Sequence, residues 1–391
     1  MEKKMYKRKM KGDEPVLAIC YDFDKTLSPD DMQAQGYIQS VGYNIPDFWT
    51  ESNQLAENND MDQNLAYMYK MIQEAEGNFV FNKKALNDYG AKVELFPGVE
   101  DWFERIRQYG KSKGVIVEHY IISSGLKEMI EGTSVAKHGA FEKIYASSFY
   151  YNERGVAVWP AQVVNYTNKT QFLFRIEKGV LDINDQGVNE YFSPEDIRIP
   201  FRNMVYIGDS DTDIPCMKLV NSYGGHSIGV YNTSTKDKTK VYKMMRDNRI
   251  RYFAEADYSV GSELDNLVKT IIDRTASNEI LESKFFAYKK ECAKAEGKSG
   301  GDAQKRSELI LALEDSRSFA TTHAVVAELG KYEDWNEAEI KVLMKVAANN
   351  TQVFYILNDS DVTLFFKGLL EKMKKRDKNA EKVEEKINEE D

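Results

Sequence analysis

Two aspartates, Asp22 and Asp24, stand two residues apart near the end of the stretch VLAICYDFDKTL at residues 16–27, with Thr26 just after them. Carboxylates so placed can hold a hard cation, attack an electrophile or pass a proton. The apolar run before them, with Val, Ile and Tyr, has the pattern of a buried parallel strand. Side chains alternate along a strand, so both carboxylates project to one side at its carboxyl end. Two unpaired carboxylates there are costly unless a cation or a reaction uses them. Alone, the stretch also reads as a solvated loop whose Asp and Thr cap a helix.

Three further segments narrow that choice. MVYIGDSDTD, residues 204–213, is an apolar run that breaks at Gly208 and delivers Asp209 and Asp213. HYIISSG, residues 119–125, ends in Ser123, Ser124 and Gly125. NYTNKTQFLFRI places Lys169 after Thr167 and Asn168, two residue types that cap helices, with Lys178 as the alternative lysine. Three strand-like runs thus end in groups that a phosphate and a divalent cation require. In an open α/β sheet, ligands bind beyond the carboxyl ends of the strands.

Through these residues the chain resembles the phosphatases of the haloacid dehalogenase superfamily over residues 14–275, and its Ser-Ser-Gly is similar to that of the phosphoserine phosphatase branch. The motif D-x-D-x-T is matched by Asp22, Asp24 and Thr26, and the strand-end serine by Ser123. Lys169 matches the motif lysine, and Gly208, Asp209 and Asp213 match G-D-x-x-x-D. The resemblance implies a Rossmann-like, doubly wound parallel sheet with a helical cap inserted after the first strand. It implies Asp22 as a nucleophile that forms an aspartyl-phosphate, and Asp24 as the acid and then the base. Thr26, Ser123, Ser124, Gly125 and Lys169 would bind the phosphate. Mg²⁺ would be held by Asp22, Asp209 and the backbone carbonyl of Asp24, with Asp213 in its first or second shell. An acid at Asp24 favours phosphoryl transfer over dehalogenation, because a halide leaves without a proton. Thr26 and the lack of an apolar run of about 18 residues argue against a transport ATPase. The rival reading is a non-catalytic protein on the same fold that binds a phosphorylated ligand.

The elements that must position these groups follow from the pattern. Residues 1–27 and 96–275 are expected to form the α/β core, 28–95 a helical cap, and 276–391 a helical extension with a charged tail. In the cap, Leu65, Met68, Tyr69 and Ile72 recur at helical spacing. FPGVEDWFERIRQYG predicts a turn and an amphipathic helix, and FEKIYASSFYYNERGVAVWP predicts strands around a turn at Asn152–Gly155. GGHSIGVY and ADYSV predict the last strands, and DNLVKTIIDRTA the closing helix. In the extension, 294–306 reads as a flexible linker, Ile340, Leu343, Met344 and Val346 as one packed helix face, and 372–391 as frayed or disordered. The extension could dock on the core, form a homodimer or bind a protein partner.

Composition sets the remaining bounds. Residues 28–95 hold no arginine and four lysines against eleven aspartates and glutamates. No bidentate clamp for an amino-acid carboxylate is available there, which disfavours phosphoserine. A small neutral or amine-bearing phosphomonoester remains. Asp31 either meets an ammonium or hydroxyl group or caps a helix near Pro29. The net charge of −10 argues against nucleic acid, although basic residues cluster at 236–251, as a solvated helix or as a patch for anions. Cys20, Cys216 and Cys292 are too few and too scattered for a disulfide framework or a zinc site, and His119, His138, His226 and His323 form no metal-like cluster. With no signal-like apolar segment after the basic N-terminus, a cytoplasmic protein without membrane attachment is expected.

Overall fold

The computed structural model describes residues 6–295, 302–316 and 318–388. The first apolar run is strand β1 (Val16–Tyr21), buried along its whole length. It lies at the centre of a seven-stranded sheet with β2 (Ile116–Leu126), β3 (Lys143–Tyr151), β4 (Ala157–Gln162), β5 (Met204–Gly208), β6 (His226–Tyr231) and β7 (Tyr252–Glu255). The order is β4-β3-β2-β1-β5-β6-β7, and every pairing is parallel except β3–β4, the hairpin at the edge. Strand direction is common to β2, β1 and β5, so their carboxyl ends meet along one rim. The order turns outward in both directions from β1, which makes that rim a topological switch point.

Alternation along β1 divides the core into two layers. Leu17, Ile19 and Tyr21 pack on one face of the sheet, and Val16, Ala18 and Cys20 on the other.

Between β1 and the rest of the sheet lie the helices α1 (Tyr37–Ser40), α2 (Ile45–Asn58), α3 (Gln63–Ala75) and α4 (Lys83–Gly90). Three start on side-chain caps: Asn44 accepts from Asp47 N at 2.9 Å, Asp62 from Asn64 N at 2.9 Å, and Asn82 from Ala85 N at 2.8 Å. Their core is aromatic, with Tyr37 edge-on to Phe48, Phe79, Phe81 and Tyr89. On α3, Met68 is buried and Ile72 packs partly buried against the core as the spacing predicts, whereas Tyr69 turns outward; Ala66, Tyr67, Lys70, Met71 and Ala75 complete the buried set.

The core continues through α5 (Val99–Ser112), α6 (Lys127–Gly132), α7 (Ser134–Lys137), α8 (Thr170–Lys178), α9 (Ile214–Ser222), α10 (Thr239–Arg246) and α11 (Glu263–Ala295). Helices α5 and α11 cover the Leu17 face, and α8, α9 and α10 cover the Val16 face. The last strand falls at Tyr252–Glu255 rather than in ADYSV. Tyr258 is instead fully buried beyond the strand, with its hydroxyl donating to Thr26 O at 2.8 Å.

The chain divides into two compact units, Met1–Ile183 with Arg198–Ile280, and Asn184–Ile197 with Leu281–Asp391. The boundary falls inside α11, and residues 184–197, which the pattern leaves within the core, group with the second unit. There Tyr191 packs against the apolar cluster of the second unit, and Glu195 pairs with Lys290 at 3.1 Å. That unit holds α12 (Asp302–Glu314), α13 (Phe319–Leu329), α14 (Glu337–Asn349), α15 (Thr351–Tyr355), α16 (Ser360–Lys372) and α17 (Lys378–Asn388). Ile340, Leu343, Met344 and Val346 are buried in it. Of the charged tail, Lys378–Asn388 is helical rather than frayed, because Ala380, Val383 and Ile387 recur on one face of α17 and are buried, and 389–391 lie outside the described residues. Of the expected linker, 296–301 lies outside the described residues, and Asp302–Arg306 already belongs to α12. Among the described residues no helix is long and apolar enough to cross a membrane.

Candidate active site

Asp22 follows β1 directly, and its backbone N still bonds Ile207 O of β5 at 3.0 Å, so the carboxylate is fixed by the sheet itself. Oδ1 accepts from Phe23 N at 2.8 Å. Oδ2 lies 3.1 Å from Lys169 Nζ, and the same ammonium reaches Asp213 Oδ1 at 2.8 Å. Lys169 stands at the threshold of α8 with no exposed surface. Thr167 and Asn168 do not cap that helix. They brace the preceding turn, where Asn168 Oδ1 accepts from Asn165 N at 2.9 Å. Lys178 closes the far end of α8, so Lys169 is the lysine that the fold brings to Asp22.

Asp213 is held from all sides. Its Oδ1 also accepts from Tyr206 OH at 2.9 Å, and its Oδ2 from Ser210 N and Ser210 Oγ, each at 3.2 Å. Gly208 permits this: a Cβ there would stand 2.5 Å from Asp213 Oδ2. Asp209 instead faces Lys240 Nζ at 3.4 Å.

Asp24 sits in the turn after β1, where Thr26 N, Leu27 N and Ser28 N all bond Phe23 O. Its Oδ1 accepts from Met32 N at 2.8 Å, and its Oδ2 lies over Gly125, 2.8 Å from where a Cβ would be. Ser123 is buried on β2, and its Oγ accepts from Gly125 N at 3.1 Å. The buried Ser124 Oγ has no protein partner. Thr26 is fully buried beneath the turn, its hydroxyl also without a protein partner, and lies behind the cavity wall rather than on it.

Burial and crowding shape the charges. Burial and then the charge of Asp213 push the Asp22 carboxyl up to about 7 against the pull of Lys169. Burial, with Lys240 opposing and Asp213 adding, takes Asp209 to about 6. Asp24 is raised well above the usual carboxylate range by burial and by the charges of Asp31 and Asp22. Burial works against the Lys169 ammonium, but Asp213 and Asp22 outweigh it and keep it charged.

The sequence model of the haloacid dehalogenase-like hydrolase family matches residues 19–218, just over half of the chain. The chain belongs to that family. A curated relative, an uncharacterized protein of Borreliella burgdorferi, is 28 % identical over 282 residues, covering 65 % of this chain and 96 % of its own. Among solved structures, a HAD family hydrolase from Salmonella enterica serovar Typhi is similar at 18 % identity and TM-score 0.44, over 66 % of this chain and 72 % of its own. A substrate-bound phosphoserine phosphatase complex is similar at 12 % identity and TM-score 0.41, over 66 % of this chain and 99 % of its own.

The site of this haloacid dehalogenase-like hydrolase opens into a cavity of about 520 Å³. Asp22, Asp24, Ser123, Ser124, Gly125 and Asp209 line its floor, and Lys169 and Asp213 stand behind them. The segment 28–95 supplies Asp31, Met61, Asp62, Gln63 and Asn64 to the wall. Asp31 does not cap a helix with its side chain; its Oδ2 pairs with Lys25 Nζ at 2.8 Å. Tyr67 of α3 ties this segment to the floor by donating to Ser124 O at 2.8 Å.

Asp22, Asp209 and Asp213 can each point a carboxylate oxygen to within 4.8 Å of the others. An oxygen-only, acidic set fits a hard divalent cation, which would relieve the charge repulsion that, with burial, raises Asp22 and Asp209. Asp213, already holding four hydrogen bonds, suits a supporting place behind Asp22 and Asp209. The Asp24 side chain stands outside the cluster.

Sequence reasoning missed Tyr206 and Lys240. Tyr206 shares the apolar run of β5, where nothing separates a hydroxyl aimed at Asp213 from a core aromatic. Lys240 did carry a signal, the basic cluster at 236–251.

Proposed function

We propose that this hydrolase is a Mg²⁺-dependent phosphomonoester phosphatase that works through an aspartyl-phosphate on a small phosphorylated metabolite. The observation that carries this reading is the pairing of two unlike carboxyls in one turn. Asp22 is held against a charged lysine, while Asp24, two residues on, lines the same cavity with its carboxyl raised by burial and by the charges of Asp31 and Asp22, the direction a proton donor needs. A site built only to bind phosphate has no use for that acid.

Asp22 Oδ attacks phosphorus as the bond to the leaving oxygen breaks, and Asp24 gives that oxygen its proton. Ionised Asp24 then takes a proton from water as the water attacks the phosphoryl group, which releases Asp22 and inorganic phosphate. Ser123 donates toward the phosphoryl oxygens from the strand end, and Lys169, held by Asp213 behind the floor, offsets charge on Asp22 as it develops. Asp22 and Asp209 would hold the Mg²⁺, which supplies charge neutralisation at the phosphoryl oxygens.

The acidic residues of segment 28–95 on the wall, Asp31 and Asp62, favour a leaving group with ammonium or hydroxyl functions, with Lys25 and Lys240 lining the same cavity beside the phosphate end. Three free cysteines suit a reducing compartment, and we take the cytoplasm as the place of action.

Hydrolysis of para-nitrophenyl phosphate with Mg²⁺ and with EDTA, beside Asp22→Asn, tests the reading. Release should need the metal and fall by at least about 10³-fold in the variant. No metal-dependent release from this ester or from a panel of phosphorylated metabolites would overturn it.

A further inference from the structure

Helix α11 carries one apolar spacing twice. Leu264, Val268, Ile271 and Thr275 follow at intervals of four, three and four, and all are buried. Leu281, Phe285, Tyr288 and Cys292 repeat those intervals, yet Leu281 is 65 %, Phe285 55 % and Tyr288 61 % exposed, and Cys292 is exposed as well. Ile280, beside them, is also exposed. A stripe of large apolar side chains left in water marks an interaction surface. Alternating steps of four and three form the seam along which two helices coil.

We propose that this stripe is where a second copy of the chain docks, with the two α11 helices antiparallel. The argument for a second copy lies in the flanking charges. With Phe285 and Cys292 at one core position of the heptad and Leu281 and Tyr288 at the other, the seam is bordered by Glu282 and Lys289 on one side and by Lys284 and Glu291 on the other. A parallel pair sets Lys284 against Lys289 of the second copy, twice, which is repulsive. An antiparallel pair sets Glu282 against Lys289 and Lys284 against Glu291, each twice, and all four contacts are attractive. The pattern therefore complements itself in one orientation only. The core layers would then join Phe285 to Tyr288 of the second copy, and Leu281 to its Cys292. A seam this short is expected to hold at roughly tens of micromolar.

Sedimentation of the full chain from about 1 to 200 μM should show a monomer–dimer equilibrium. Leu281→Lys with Phe285→Lys should leave a monomer with unchanged far-UV circular dichroism and unchanged phosphate-ester hydrolysis. Thiol oxidation sets the orientation, since Cys20 and Cys216 are buried. Antiparallel packing keeps the two Cys292 residues apart, so the natural chain should give no disulfide-linked dimer. Leu281→Cys should give one, lost again when Cys292→Ser is added. A chain that is monomeric at every concentration, or a dimer that survives the double lysine variant, overturns the surface. Cross-linking of the natural chain through Cys292 overturns the antiparallel arrangement.

Discussion

The α/β unit buries Lys169 and Asp213 completely and Asp22 to within 6 % of full burial, whereas among the described residues from 302 to 388 the buried set is apolar apart from Ser316 and Thr322. Those two satisfy each other at 2.6 Å. Ions buried together seldom gain stability, because lost hydration offsets their attraction. Lys169 and the aspartates are therefore held in place by the strand ends around them, as the proposed function requires. Among the described residues from 302 to 388 the helical unit carries no such load, and the buried leucines, valines and alanines there close a core. The difference teaches where each substitution should be felt: at the site of the α/β unit as rate together with stability, in the helical unit as stability alone.

The largest effect is expected at Lys169→Met. Removing the shared cation leaves Asp22 and Asp213 facing each other in a buried site. Turnover should fall by about 10²–10³-fold, and stability by about 3–5 kcal/mol, read from initial rates and from urea unfolding without metal. Near-normal turnover would break the comparison on the α/β side.

Leu343→Ala tests the other side. Leu343 has no exposed surface at the centre of the helical cluster. The cavity should cost about 2–5 kcal/mol, seen as a lower unfolding midpoint of the full chain. Turnover measured well below that midpoint should not change. A rate loss at temperatures where the fold is intact would give the helical unit a part in the chemistry.

Much of this contrast is legible in the residue string, and the reason is physical. A parallel strand buried on both faces reads as an unbroken apolar run, so the polar residues that end it announce the rim of the sheet. Asp22, Ser123 and Asp209 are found that way. What was hidden depends on direction rather than on type. Tyr67 is buried on α3 and Tyr69 exposed, although both are large and aromatic and only their place on the helix separates them. The helix α17 was masked by its charges, since three apolar residues in eleven suffice for a seam but not for an obvious pattern. The shift of β7 to Tyr252–Glu255 has the same origin, for Tyr258 in ADYSV is apolar for core packing and not for a strand.

Protons sharpen the comparison at smaller amplitude. Glu118, buried at the start of β2, takes a bidentate pair from Arg198 at 2.7 and 2.8 Å, with Lys9 at 2.8 Å and Tyr120 OH at 2.6 Å. Burial alone would raise its carboxyl, but Arg198, Lys9 and Tyr120 outweigh it and bring it from 4.5 to about 2. A pKa lower in the folded than in the unfolded chain stabilises above the unfolded value and is lost as pH falls through the folded one. The contribution, about 3 kcal/mol from the shift, is thus complete above pH 4.5 and fades toward pH 2. Glu118→Gln should lose roughly that amount at neutral pH, with the gap to the natural chain closing as the medium is acidified. A gap independent of pH would mean that Glu118 acts by packing and not by charge.

In the helical unit the sign reverses. His323 of α13 meets Asp361 at 2.8 Å through Nδ1 and Asp359 at 3.0 Å through Nε2. Partial burial lowers its pKa, but the two carboxylates outweigh that and raise it above 6.5. A pKa higher in the folded chain stabilises below the unfolded value and is lost as pH rises through the folded one. The group is a third exposed, so solvent screening holds its worth below about 1 kcal/mol. His323→Gln should therefore cost a few tenths to about 1 kcal/mol at pH values below 6.5 and nothing in alkaline solution. Added salt should shrink the effect further, since pairs this open are screened within about 10 Å at 0.1 M. A cost that grows with pH would mean that the neutral imidazole, bonded as a donor to one aspartate, is the form that steadies the start of α16.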